Sequence, residues 1–265
     1  MKLALFIKNR ELLENESVKR MISRLDCETR IVGSREDLDS DISMLLSIGG
    51  DGTFLSAAGL VAGAGIPVLG VNLGRVGFLS ENSPEDVPEA IAEHKYVIED
   101  REMLKATIDG KEDYYALNEV SVHRQGAAML GVDVVFDGSK LPTYWADGFL
   151  VATSSGSTAY SLSVGGPICT PDSKVLILEP IAPHNLNMRP FIVPSGSKLD
   201  ISLKARDSEV MFTADNRNFA IGRDSRISIS LAQFSLKRVR LSKSNFVKAL
   251  TTKLYWGEDI RNEIK

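Results

Sequence analysis

The run Ser47-Ile48-Gly49-Gly50-Asp51-Gly52-Thr53 sets one carboxylate among three glycines, directly after a stretch of apolar residues. Glycines where a strand gives way to a helix let the backbone approach a phosphate closely. The helix N-terminus then offers free N–H groups and a favourable dipole. Gly49, Gly50, Gly52 and Thr53 are therefore candidates for a phosphate-holding loop. The loop is not of the G-x-x-x-x-G-K-[ST] type, and no G-x-G-x-x-G occurs in the chain. Asp51 is the odd member. A loop built only to hold phosphate would not place an acid among anions. The aspartate suggests metal coordination, or acceptance of a proton from an attacking hydroxyl. Helix capping is the competing reading, since aspartate is a common N-cap.

Two further stretches carry polar side chains suited to a ligand. Asn118-Glu119 follows the run Tyr115-Ala116-Leu117. An adjacent amide and carboxylate can recognise a base edge and a ribose diol together, although a turn or strand end would also account for the pair. Residues 146–167 begin Ala146-Asp147-Gly148 and pass from an apolar strand into a loop of hydroxyls and small residues that includes Ser154-Ser155-Gly156-Ser157-Thr158-Ala159-Tyr160-Ser161-Leu162-Ser163. Tyr160, isolated among small residues, offers a stacking surface, while a Ser/Thr-rich surface loop is the plainer reading. His94, His123 and His184 are scattered without H-E-x-x-H spacing, so no protein-held zinc is expected.

The elements that must position these residues change character along the chain. Apolar runs at residues 3–7, 42–48 and 66–71 read as buried strands, and residues 12–25 and 53–64 as helices. Strand–helix alternation over the first 95 or so residues indicates a parallel sheet with α/β topology. From about residue 101 to 241 the pattern is short alternating runs, such as 119–123, 132–136, 199–203 and 227–231, which suits an antiparallel β domain. Residues 244–265 read as a helix, with Phe246, Val247, Leu250 and Leu254 on one face.

Composition narrows the classes. A net charge of −4 without a basic block speaks against a nucleic-acid binder. No apolar stretch reaches the length of a membrane span, and the start of the chain lacks a signal-peptide pattern. Cys27 and Cys169 are far apart and form no C-x-x-C, so two reduced thiols are expected. A cytoplasmic protein is the expectation.

Taken together, these stretches resemble the NAD kinase family over nearly the whole chain. The resemblance rests on residues 49–55, on Asn72-Leu73-Gly74-Arg75-Val76-Gly77-Phe78-Leu79, on Leu117-Asn118-Glu119, on residues 146–167 and 183–190, and on the tail Leu254-Tyr255-Trp256-Gly257-Glu258. The G-G-D-G-T loop alone is shared with diacylglycerol, sphingosine and phosphofructo-kinases. The S-G-S-T-A-Y-S-L-S run with N-E upstream is far more specific.

The resemblance implies an α/β N-terminal domain, residues 1–100 joined by 244–265, and a β-sandwich C-terminal domain, residues 101–243, with the site between them. It implies transfer of the γ-phosphoryl group of ATP to the adenosine 2′-hydroxyl of NAD, forming NADP. Mg²⁺ or another divalent cation would accompany ATP, with no metal held by the protein alone. Asp51 matches the proton acceptor, with Gly52 beside it. Asn118 and Glu119 match contacts to the adenosine part of NAD. Asp147, Thr158, Ala159, Tyr160, Ser161, Leu162 and Ser163 match the lining of the dinucleotide site. Part of that site comes from a neighbouring subunit in this family, which implies a homo-oligomer, a dimer or tetramer.

Two positions depart from the pattern. Trp145 stands where many members have arginine, and Asp215-Asn216-Arg217 replaces D-G-Q or D-S-Q. A diacylglycerol-type lipid kinase and a non-catalytic NAD(P)-binding regulator are the alternatives.

Overall fold

The computed structural model describes residues 1–74, 77–241 and 245–257. The chain folds as two compact units. The first is Met1–Asp100 with the chain from Lys237 onward, and the second is Arg101–Leu236.

In the first unit, the apolar runs become β1 (Lys2–Phe6), β3 (Ile42–Ile48) and β4 (Val68–Val71). Edge strand β2 (Glu28–Val32) pairs parallel to β1, and β1, β3 and β4 follow parallel to one another. Strand Leu236–Leu241 adds parallel to β4, and β5 (Tyr96–Arg101) closes the order. Helices α1 (Glu16–Ser23) and α3 (Val87–Ala92) contribute Val18, Met21, Val87, Ala90 and Ile91 to a core with Leu3, Leu5, Met44, Leu46, Leu69 and Val71. Helix α2 (Asp51–Leu60) packs on β3 and β4, with Phe54 against Gly70 on the alternate face. Helix α5 (Phe246–Leu254) buries Ala249 and Leu250.

The second unit contains two sheets. Strands β6 (Leu104–Ile108), β7 (Glu112–Ala116), β9 (Leu130–Phe136), β10 (Ser139–Lys140), β11 (Tyr144–Ala146), β15 (Leu199–Lys204) and β18 (Arg226–Leu231) form one. The other holds β8 (Glu119–His123), β12 (Gly148–Thr153), β13 (Val175–Ile181), β14 (Phe191–Pro194), β16 (Glu209–Ala214) and β17 (Arg217–Gly222). The pairs are antiparallel. One cluster collects Ala106, Val132, Ile201 and Ile229 from the first sheet with Val120, Phe149, Leu178 and Phe212 from the second. Alternation in these strands puts such residues on shared inner faces.

Several boundaries differ from the sequence reading, each for a local reason. The helical spacing over residues 12–25 is broken at Asn15, whose extended backbone and side-chain oxygen cap α1 through Ser17 and Val18 N–H at 2.9 and 3.4 Å. A 3-10 turn, Arg10–Glu14, precedes it. Strand β2 is absent from the sequence reading because an edge strand buries few residues and shows no apolar run. Helix α2 starts at Asp51, two residues before the expected 53, because Gly50 takes the N-cap position. The boundary at 243 moves to Leu236, because the following strand hydrogen-bonds into the first sheet. Of the segment 244–265, Phe246–Leu254 is helical. Ser244 and residues 258–265 lie outside the described residues, as do Arg75 and Val76.

Removing the Asn15 cap tests the break. Asn15→Ala should cost about 1 kcal/mol and lower the melting temperature by about 2–4 °C, with activity unchanged. Thermal denaturation beside an activity assay checks both.

Candidate functional site

Asp51 does not cap its helix. The N-cap is Gly50, which has no side chain to bond, and the Asp51 carboxylate turns instead to the loop after β4. There Oδ2 accepts the Phe78 N–H at 2.8 Å, and Oδ1 accepts those of Leu79 and Ser80 at 3.1 and 2.8 Å. Backbone donors in such numbers fix a carboxylate in one orientation.

The loop is itself latched. Asn72 Nδ2 donates to Ser80 O at 3.0 Å, Asn82 Nδ2 donates to Gly70 O at 2.8 Å, and the Asn72 N–H donates to Asn82 O at 2.8 Å. Glycine at residue 70 is required by closeness, since a Cβ there would lie 2.7 Å from Leu79 O. The same holds at Gly77, where a Cβ would lie 1.9 Å from Asp51 Oδ1. On the candidate phosphate loop, Gly49 has φ +146°, and the Thr53 N–H donates to Gly50 O at 2.9 Å.

Two cations outside every sequence motif brace the same loop. Arg238, 6% exposed, donates to Phe78 O at 3.0 Å and to Glu81 Oε1 at 2.5 Å. Lys253, in the last turn of α5, donates from Nζ to Gly77 O and sits 4.6 Å from the Phe78 ring centroid. Burial lowers the Lys253 ammonium below the ordinary lysine value, against the pull of Glu81 and Asp51. The alternation of residues 237–240 reads as an ordinary strand, and nothing in it marks Arg238 as buried. Nor does a lysine near a helix C-terminus announce a partner 176 residues away.

In the second unit, Asn118 and Glu119 sit at the entry to β8, both buried. Glu119 Oε2 and Asn118 Oδ1 have no hydrogen-bond partner among the described residues. Burial first, then the neighbouring Asp215, push the Glu119 carboxyl up to about 8. At neutral pH it is mostly protonated and can donate as well as accept, so the expected carboxylate is a carboxylic acid here.

Residues 155–163 are not an open loop. They form a 3-10 turn, Ser155–Thr158, and the single helical turn α4 (Tyr160–Ser163). The hydroxyls explain this, because several are occupied by backbone. Thr153 Oγ1 donates to Leu117 O at 2.6 Å and accepts the Gly156 N–H at 3.2 Å. Ser154 Oγ donates to Pro171 O at 2.9 Å, and Ser157 Oγ bridges Cys169 O and N at 3.2 and 3.1 Å. Gly156 packs so closely that a Cβ would lie 2.2 Å from Asn118 O. The turn is thereby pressed onto the Asn118-Glu119 corner. Tyr160 is 38% exposed, with its ring stacked 5.9 Å from His123, so it is not a core filler. Thr158, Ala159 and Leu162 are half-buried, Ser163 is exposed, and Ser161 is fully buried.

Beneath Ser161 lies Glu179, 1% exposed, with its carboxyl pushed up to about 7 by burial. A Cβ at Gly166 would lie 1.8 Å from Glu179 Oε1 and 2.4 Å from Ser161 Oγ. Its signal in the sequence is a single acid closing the apolar run Val175-Leu176-Ile177-Leu178-Glu179, which periodicity alone passes over.

Asp147 stands apart, held by Arg124 through Nε–Oδ1 at 2.7 Å and Nη2–Oδ2 at 3.2 Å, which keeps its carboxyl below the usual range. Arg124 thus supplies a cation beside Asp147 where Trp145 does not. His184 Nε2 lies 3.9 Å from Asp147 Oδ1. Arg217 donates to Tyr115 O, a backbone contact.

One unit carries an acid fixed at a glycine loop, and the other carries unpaired polar groups beside an exposed aromatic. Those are the parts of a nucleotide-handling phosphotransferase. Family models for the ATP-NAD kinase N-terminal and C-terminal domains match residues 7–96 and 117–241. NAD kinase from Flavobacterium psychrophilum is 36% identical over 95% of this chain and 86% of that protein. The Bacteroides fragilis NAD kinase is 41% identical over 83% of this chain and 79% of its own length. Among solved structures, an NAD kinase from Archaeoglobus fulgidus in complex with ATP is similar with a TM-score of 0.78 and 27% identity, covering 96% of this chain and 99% of that one. Yeast NADH kinase complexed with NADH is similar in fold, with a TM-score of 0.88 at 21% identity over 98% of this chain and 89% of that one. The chain belongs to the ATP-NAD kinase family.

Gly77→Ala should drive the Asp51 carboxylate off its donors. A displacement of that size costs roughly 100-fold in turnover. Steady-state kinetics at saturating substrates checks the expectation, beside a melting curve that falls as the N–H donors of residues 78–80 lose their acceptor.

Proposed function

We propose that the protein transfers the γ-phosphoryl group of ATP to the adenosine 2′-hydroxyl of NAD, with Asp51 accepting the hydroxyl proton. Family membership makes the chain an ATP-dependent NAD kinase. The observation behind the role of Asp51 is its anchoring. Three N–H groups hold it at the first turn of α2, beside the glycine loop and free of capping duty.

In the proposed step, the 2′-oxygen bonds to the γ-phosphorus as the bond to the bridging oxygen breaks. ADP leaves and the proton passes to Asp51. Fixed groups do most of the work in such transfers, through positioning and electrostatics. Gly49, Gly50, Gly52 and Thr53 would hold donor phosphates at the N-terminus of α2. Asn118 Oδ1 and Glu119 Oε2, buried and unpaired among the described residues, favour a polar ligand at their corner. Tyr160 would present its exposed face to a base, with Thr158, Ala159, Leu162, Ser163 and Asp147 lining the rest, while Ser161, fully buried over Glu179, would support the turn from beneath.

Relatives support the two substrates, one having been solved with ATP and another with NADH. No group of three His, Cys, Asp or Glu side chains suited to a metal occurs among the described residues. The proposal places the divalent cation with the triphosphate, as part of the substrate. The family match over residues 117–241 speaks against the lipid-kinase alternative.

The finer fold reading belongs to the same proposal. Helices packed on the parallel first sheet support an α/β domain, and the core shared by the two sheets of the second unit supports a β-sandwich. We further place the enzyme in the cytoplasm as a homo-oligomer with shared sites. Both cysteines are free, no described helix is long and apolar enough to cross a membrane, and edge strand β14 exposes Phe191 and Ile192. Light scattering at assay concentration should find an oligomer, and an active monomer would overturn this.

Asp51→Asn tests the mechanism. NADP formation should fall by at least about 100-fold, the lower range for a lost general base. The Phe78 N–H would then face an amide NH₂ group, a local cost of about 1–3 kcal/mol, so the melting temperature should drop modestly. NAD affinity should change far less than turnover. Near-normal turnover would remove Asp51 from the reaction.

A further inference from the structure

We infer that Asp215 is a positioning residue that holds the Asn118-Glu119 corner of the dinucleotide site from behind. The inference rests on the reading of that corner as an NAD contact. Asp215 lies in the two-residue turn between Ala214 and Arg217 and takes φ +51°, a conformation aspartate tolerates better than most residues. From there Oδ2 accepts the Leu117 N–H at 2.9 Å, and Oδ1 accepts those of Asn118 and Glu119 at 2.8 and 3.3 Å. Its own N–H donates to Glu119 O at 2.9 Å.

The opposite side of the corner is held by β12 and the turn after it. Thr153 Oγ1 donates to Leu117 O, the Thr153 N–H donates to Asn118 O at 2.8 Å, and Gly156 closes against that carbonyl. Donors and acceptors of the corner backbone are thus satisfied by protein. What stays unpaired among the described residues is Asn118 Oδ1 and Glu119 Oε2, on the side chains. A corner with its backbone saturated and its side chains spare is built to present those side chains.

Length and charge make the choice of aspartate specific. A glutamate would push the corner away, and an asparagine offers one oxygen to three N–H donors. The charge also acts on Glu119, whose ionisation Asp215 opposes. The other groups facing this pair are the Tyr160 backbone N–H and phenol on Glu119 and Arg217 on Asp215.

Asp215→Asn keeps the turn and removes the charge. NAD binding, measured by calorimetry from about pH 6 to 9 around the ordinary range of a raised carboxyl, should weaken on the order of tenfold, with kcat at saturating NAD little changed. The pH midpoint of binding should move down, because Glu119 ionises more readily without its negative neighbour. An unchanged midpoint or an unchanged affinity would overturn the inference. Asn118→Ala and Glu119→Gln run in parallel. If they too leave NAD binding intact, the reading of the corner fails and the inference with it. If they weaken binding and Asp215→Asn does not, only the inference fails. Should the variant not fold, hydrogen exchange in the unaltered protein decides. Amides of Leu117, Asn118 and Glu119 should exchange as slowly as core strands, and free exchange would overturn the proposal.

Discussion

Phe78, Leu79 and Ser80 aim their backbone N–H groups at one carboxylate, that of Asp51, and the first unit is arranged so that they can. A backbone segment turns three consecutive donors toward one point only if its path is held elsewhere. Asn72 and Asn82 hold its ends, Gly70 admits it to the flank of β4, and Arg238 and Lys253 take carbonyls on its other side. The side chains in this chain of contacts are buried or half-buried, and each has a partner. Such networks are stable as a whole and costly when one member is removed. The orientation of the Asp51 carboxylate is therefore set by a loop 27 to 29 residues away, not by the turn that carries it.

The second unit follows the same rule with a different sign. There the backbone of a short corner is satisfied from both sides, and side-chain oxygens are left over. Burial of Glu119 and Glu179 raises both carboxyls, so acids that would be charged in water are partly or mostly protonated at neutral pH. The hydroxyl-rich turn shows why composition misleads. Thr153, Ser154 and Ser157 look like ligand groups in sequence, yet they hold the backbone turn together. The side chains free to meet a ligand are fewer, and include the exposed face of Tyr160.

Substitutions against the family pattern gain a physical reading from neighbours in space. Trp145 lacks the charge of the arginine that the family resemblance leads one to expect, and Arg124, from the end of β8, stands at Asp147 instead. In Asp215-Asn216-Arg217, the aspartate bonds the Asn118-Glu119 corner and the arginine bonds Tyr115 O, so this turn contacts its neighbours through their backbone.

Sequence by itself determined what local pattern and residue type can carry. Apolar runs located β1, β3 and β4, alternation located strands of the second unit such as β8, β9, β15 and β18, and the glycine loop, Asn118-Glu119 and Tyr160 were legible as candidates for a site because their residue types are out of place in ordinary elements. The competing readings of Asp51, as a cap or as a functional acid, could not be separated from sequence, since both need the same residue at a helix start. Only the tertiary structure removed the cap reading, by placing the donors of residues 78–80 against the side chain. It also decided the burial of Glu119 and Arg238, the reach of Lys253 and the partners of Asp215. These depend on distance in space between residues far apart in the chain, and neither periodicity nor spacing encodes such distances. Strand Leu236–Leu241 makes the same point for the fold: its alternation suits either unit, and hydrogen bonds to β4 assign it to the first.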